Sequence, residues 1–251
     1  MIVVRILLNG VIMAAEMAAV AAVAWFGFHY PFLFATVTAG LSFVLGLRLE
    51  TKRLAFELPF YFEGLRAPRL PLIVLVGSVE ALLKGVLAGL AALFTFAGTD
   101  SDRLFWVAVV FGLTTYAGAS ALRALSVSFR VQPWRWGYFR LAAPLGLAFS
   151  AGIAVLTAAG LLSTTGAGEI GWKLVWELPQ RPSVSQVSEL FFQLKQAFDG
   201  FIVTLLEAVM SKEWARLVAI AVSVNVLTGF VASLYASMIA AAVRTAEEGL
   251  P

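Results

Sequence analysis

The sequence predicts an all-α fold: a polytopic transmembrane helical bundle of about six spans, with an amphipathic helix on the outer surface between spans five and six. Three observations carry this expectation. Apolar runs of roughly 20 residues recur along the chain, each long enough to cross a hydrocarbon core ~30 Å thick. Only 13% of the 251 residues are charged and 61% are hydrophobic, with a mean hydropathy of +0.90; a soluble domain carries about a quarter of its residues as charges. The runs are also apolar on every side rather than alternating, which selects helices over a β-barrel, since lipid offers no partner for an unpaired backbone.

The whole chain, 1–251, reads as one integral membrane domain. Span one covers 2–28 and contains Asn9 and Glu16. Because Glu16 interrupts the run and no small-residue cleavage site ends it, this span is expected to be retained rather than removed as a leader. The aromatic turn Phe28-His29-Tyr30-Pro31 suits a membrane–water interface. Span two covers 32–47 and is followed by a basic loop holding Arg48, Lys52, Arg53, Arg66 and Arg69. Span three, 71–98, carries Glu80 and Lys84 four residues apart, beside a column of small residues at the same step: Gly77, Ala81, Gly85 and Gly89. Span four covers 104–122. The next loop interleaves Arg123, Arg130, Arg135 and Arg140 with Trp134, Trp136 and Tyr138, as expected of a segment on lipid headgroups. Spans five, 141–162, and six, 214–243, have columns of their own. These are Ala142, Gly146, Ser150, Ala154 and Ala158, and Ala221, Asn225, Gly229, Ser233, Ser237 and Ala241. Helices in lipid associate through such close backbone approach, so spans three, five and six are expected to be the inner ones.

The outer connection, 163–213, holds a second kind of signal. Ser183 followed by Gln186 has capping-box spacing. Beyond it Val184, Val187, Phe191, Leu194, Phe198, Phe201 and Leu205 form an apolar stripe, with Gly200 marking a bend. A helix lying on the leaflet or capping the bundle, a re-entrant hairpin along a pathway and a dimer seam all fit this pattern.

With six spans both termini share a side. The N-terminal segment, the two basic loops and the tail together hold 11 Lys and Arg, which places the termini in the cytoplasm and the protein in a prokaryotic inner or plasma membrane. The basic pI of 9.4 is thus a topology signal and not one for nucleic acid. The absence of Cys and the single His leave no thiolate or multi-histidine metal site and no bis-histidine haem. No Asp falls within a span and there is no GxxxxGK, which excludes intramembrane aspartyl proteolysis, aspartate-rich metal sites and a P-loop. No enzyme, cofactor or metal is expected.

Glu16, Glu80 and Lys84 remain as a candidate intramembrane charge site. Glu80 lies about 14 Å along span three from Pro71 and Lys84 about 20 Å, while Glu16 lies about 20 Å along span one. A lone charge at that depth costs ~2.5–3.5 kcal/mol, so pairing is expected: Glu80 with Lys84 on its own helix, and Glu16 with the same Lys if spans one and three touch. The second carboxylate would then be a candidate proton acceptor. Asn225, Ser233 and Ser237 are a candidate polar packing surface or path. In outline the layout is similar to exporter-type permeases of the ATP-binding-cassette class, whose ATPase is a separate chain; the likeness is of layout, carried by no sequence motif. It implies a small or lipid-like substrate and a separate energising partner, with the bilayer, other membrane subunits or a second copy of the chain as further partners. The alternative is a non-transporting subunit or assembly factor that docks through Ala55–Pro68.

Overall fold

The computed structural model describes residues 2–61, 70–162 and 183–248. Arg66, Arg69, the second half of the Ala55–Pro68 segment and positions 163–182 of the outer connection lie outside the described residues, which contain no strand. The chain is a multi-pass helical membrane protein. Helices α1 (Ile2–His29), α2 (Pro31–Tyr61), α3 (Leu70–Thr95) and α4 (Ser101–Phe129) form two successive hairpins. A short helix α5 (Pro133–Arg140) meets α6 (Ala142–Ala158) at a bend of 59°. Helices α7 (Val184–Glu207) and α8 (Lys212–Val222) follow, then a 3-10 turn (Val224–Leu227) and α9 (Thr228–Glu248). Five segments among the described residues are long and apolar enough to cross a bilayer: Asn9–His29, Pro31–Glu57, Pro71–Thr95, Ser101–Phe129 and Lys212–Glu248; the bent α5–α6 pair makes a sixth.

Local chemistry sets the helix ends. Asp100 caps α4, its Oδ1 accepting from the backbone N–H of Asp102 at 3.1 Å. Arg130, in the left-handed conformation at φ 52°, ends α4, and Pro133 starts α5 at a position where no N–H is needed. The capping box expected at α7 is present. Ser183 Oγ accepts from Gln186 N–H, and Gln186 Oε1 accepts from Ser183 N–H at 2.8 Å. Helix α7 runs through Gly200 without a break.

The α1–α2 and α3–α4 turns share one end of the bundle, called here the hairpin end; the end of α9 lies at the other, the terminal end. An aromatic core fills the hairpin half, where Phe34, Phe96, Phe111 and Phe149 are fully buried. Phe34 meets Phe96 edge-on at 5.3 Å and stacks on Tyr235 at 5.4 Å. Thr38 and Tyr235 share a buried hydrogen bond of 2.9 Å.

The expected arrangement of inner helices needs correction. The α3 column packs against α2: the Gly77 position abuts Thr51, Ala81 lies at Gly46, and Gly85 and Gly89 abut Ala39. The other face of α3, with Leu75, Val79, Leu82, Leu83, Val86 and Leu90, is exposed, as suits contact with lipid tails. The central element is α9, which is buried almost continuously from Thr228 to Ala241 and packs on α1, α3, α4, α5 and α6. The sixth apolar run is also not one helix. It breaks at Ser223, leaving a 3-10 turn between α8 and α9. Spacing alone had suggested an unbroken column through Asn225.

Candidate functional site

Each charge expected inside the bundle has a different partner from the one predicted. Lys84 donates to Glu50 Oε1, and Glu50 Oε2 lies 3.1 Å from Arg53 Nη1. Arg53 Nη2 donates in turn to Glu80 Oε2 at 2.7 Å. Glu80 and Lys84 therefore do not pair with each other; Glu50 and Arg53 on α2 interpose. One turn of helix brings side chains at four-residue steps together, but α2 crosses the same face and offers each a closer partner. Rings of Tyr138 and Phe139 on α5 cover Lys84 at 5.2 and 5.0 Å, and Phe139 also faces Arg53 at 5.6 Å. The Glu50 side chain is wholly buried.

Glu16 does not join this cluster. Its carboxylate faces Arg123 on α4 at 3.9 Å and accepts weakly from Ser120 Oγ at 3.5 Å. Arg123 also donates to Glu247 on α9 at 2.5 and 2.9 Å and to Asn9 at 3.4 Å. Among the described residues these charges thus fall into two separate clusters, one joining α2 and α3 under rings from α5 and one joining α1, α4 and α9.

The polar residues of the sixth run also separate. Ser237 Oγ donates to the Ser233 carbonyl at 2.6 Å, and Ser233 Oγ to the Phe230 carbonyl at 3.1 Å, so both hydroxyls are satisfied within α9. Asn225 Nδ2 donates to Ser223 Oγ at 2.9 Å, while its buried Oδ1 has no hydrogen-bond partner among the described residues.

Two cavities flank the break. The larger, about 770 Å³, lies toward the hairpin end between α4, α6, α7 and α8 and is lined by Arg103, Ser150, Lys195, Asp199, Arg216 and Asn225 among others. The smaller, about 270 Å³, is lined by Ser42, Arg53, Lys84, Tyr138, Ala142 and Ser233 among others. Between them α6 crosses the start of α9 at backbone contact. A methyl group added at Gly229 would overlap the Ala142 carbonyl and approach Gly146 Cα to 2.7 Å, and one at Gly146 would overlap the Val226 carbonyl. Glycine at both positions is what lets the two backbones meet. From Ala142 to Ser150 is eight residues, so the closed stretch separating the cavities is about 12 Å long.

The break itself is held by Asp199 from α7. Its Oδ1 accepts from Val224 N–H at 2.9 Å and its Oδ2 from Ser223 Oγ at 3.0 Å. Ser150 Oγ donates to the Ile220 carbonyl at 2.6 Å, a second anchor from α6. The far end of α7 is tied to the α3–α4 turn. Gly98, at φ +121°, donates its N–H to Ser188 Oγ at 3.0 Å, and no side chain readily adopts that backbone angle.

Most of the predicted α7 stripe is exposed, while its members Val187 and Phe191 are half-buried and Phe191 packs on the core. Val184, Leu194, Phe198, Phe201 and Leu205 are exposed, whereas Ser188, Phe192 and Lys195 are buried. From the opposite side of α7, Phe192, Lys195 and Asp199 line the larger cavity. Sequence reasoning missed Lys195, Asp199, Arg103 and Glu50. The available signal was Ser188, Lys195 and Asp199, polar residues that with Phe192 recur at three- and four-residue steps opposite the apolar stripe. Comparison of the chain with protein-family models, with curated proteins and with solved structures gave no match.

Proposed function

We propose that the chain is the membrane-embedded subunit of a transporter, a permease moving a small or lipid-like substrate past the α6–α9 crossing, with the hairpin end facing outward. One observation carries this reading: a closed glycine crossing stands between two cavities at the place where the sixth span breaks. Irregular backbone within a membrane protein is tolerated where it lines a cavity, and broken helices in transporters do so at their binding sites. Arg53 and Lys84, covered by the rings of Tyr138 and Phe139, give the smaller cavity polar walls. A separate ATPase or other energising subunit would act from the cytoplasmic side, where the basic loops and termini are placed by the charge bias, in a prokaryotic inner membrane.

Widening the crossing tests this without knowledge of the substrate or energy source. Val226→Gly combined with Phe230→Ala removes bulk beside Gly146 and at the mouth of the smaller cavity. Proteoliposomes holding this variant should become permeable to erythritol in a stopped-flow swelling assay, while wild-type liposomes stay tight. A folded variant as tight as the wild type overturns the reading and favours a scaffold subunit.

A further inference from the structure

We infer that the larger cavity is a binding site for an amphiphile with an anionic headgroup, the charge held by Arg103 and Lys195 beside Asn225 and the apolar body lying along α6. As the identity of a cargo this rests on the transport reading, but binding itself can be measured apart from transport.

Charge and hydrogen-bond capacity at the site are both unspent. Arg103, Lys195 and Arg216 line the cavity with a single described carboxylate, Asp199. Both oxygens of Asp199 are already committed to Ser223 Oγ and Val224 N–H. Among the described residues no carboxylate comes within 4.0 Å of Arg103, Lys195 or Arg216. Arg103 spends one donor on the Ala97 carbonyl at 3.3 Å and stacks on Phe192 at 3.5 Å. A guanidinium has five N–H donors in a planar fork, suited to carboxylate or phosphate oxygens. Lys195, 7% exposed, spends one of its three donors on the Phe94 carbonyl at 3.4 Å. Half-buried Arg103 and buried Lys195 line one cavity with Asp199 as its single described carboxylate, so a bound anion would add counter-charge there.

The second independent observation is Asn225, 9% exposed, a residue of the cavity wall whose buried Oδ1 has no partner among the described residues. An unpaired buried acceptor is costly, and a hydroxyl or N–H on the bound molecule would supply the missing donor. Much of the remaining wall is apolar, with Val107, Ile153, Ala154, Val203, Ala219 and Ile220 beside the polar Ser150, Thr157, Gln196 and Ser223. Cations beside a largely apolar surface match an anionic headgroup on an apolar chain better than a free inorganic anion.

Binding of monododecyl phosphate to the purified chain in phosphatidylcholine nanodiscs tests this, with protein-free nanodiscs as the partition blank. Parallel titrations use inorganic phosphate, dodecanol and dodecyltrimethylammonium. Saturable binding of the alkyl phosphate is expected, at least about tenfold tighter than that of the other three, since hydrogen bonds to charged groups contribute ~1.5–3 kcal/mol. Lys195→Met and Arg103→Gln should each weaken it about tenfold or more. Lys195→Met keeps the test open if Arg103→Gln fails to fold, because it removes a buried charge. Equal binding of dodecanol, equal binding of inorganic phosphate, or unchanged affinity in folded Lys195→Met protein each overturns the assignment. Alkyl phosphate binding in a protein whose widened crossing stays tight would retain the site and reject the transport reading.

Discussion

Replacing Lys195 by Met should remove a pH dependence that this buried ammonium imposes on stability. Lys195 lies on α7, outside the spanning segments. Burial, reinforced by Arg103 on α4 and only partly offset by Asp199, lowers its pKa from 10.5 to about 7. The cavity adds the exposed Arg216 from α8, and from α3 the neutral Phe94 carbonyl accepts the amine's hydrogen bond. Between pH 7 and 10.5 the unfolded chain binds a proton that the folded chain does not, so stability rises with pH. Below pH 7 both states are protonated and the penalty is constant. One pKa unit corresponds to about 1.4 kcal/mol. Because the folded lysine is half-protonated at pH 7, the gain from pH 7 to 9 is about 2 kcal/mol. Unfolding in mixed micelles by increasing fractions of dodecyl sulfate, followed by circular dichroism at pH 7, 8 and 9, measures it. The wild type should gain that stability across the series and Lys195→Met should not, being the more stable of the two at pH 7. Parallel pH curves for the two proteins would refute the placement of Lys195 as a buried amine whose charge Asp199 only partly offsets.

Three further expectations follow from the packing. Glu50→Ala strips Lys84 and Arg53 of a wholly buried partner; because both cations are about a third exposed, the loss should be about 2 kcal/mol, below the usual cost of breaking a buried pair. The same unfolding assay should show Glu50→Leu with Lys84→Leu costing less than Glu50→Leu alone. Gly229→Ala places a methyl against α6 backbone and should cost about 1–3 kcal/mol, whereas Gly160→Ala, at a position with open space but φ +74°, meets strain without a clash and should cost less. Ser183→Ala removes the α7 cap and should cost about 1 kcal/mol, read as faster hydrogen exchange in the first turn of α7.

Much of the architecture was legible because lipid makes composition decisive. The long apolar runs, the aromatic turn at His29 and the Ser183–Gln186 cap each follow from short-range rules. The partners of Glu80, Lys84 and Glu16 were not legible, because pairing across helices depends on which faces cross, and four-residue spacing reports only one helix. Glu50 and Arg53 read as loop charges, since nothing local says that α2 continues as helix to Tyr61 beside α3. The small-residue columns correctly marked close contacts at Gly85, Gly146 and Gly229 but not their partners, and the exposed face of α3 shows that such a column does not make a helix central. The direction of the α7 stripe was left open for another reason. An amphipathic pattern defines two faces, and whether the apolar one turns inward depends on whether water or hydrocarbon lies outside. The break at Ser223 depends on Asp199, about 25 residues away, supplying a cap from another helix.

The most direct test of the central claim, that two cavities lie on opposite sides of one closed crossing, is side-specific thiol labelling. The chain has no Cys, so Asn225→Cys and Ser233→Cys each introduce a single reactive group. A small, membrane-impermeant methanethiosulfonate cation is applied to one face of oriented membranes at a time, with Tyr30→Cys in the α1–α2 turn marking the hairpin side. The predicted result is modification of Asn225→Cys only from the hairpin side and of Ser233→Cys only from the terminal side. Modification of both from the same side would contradict the account.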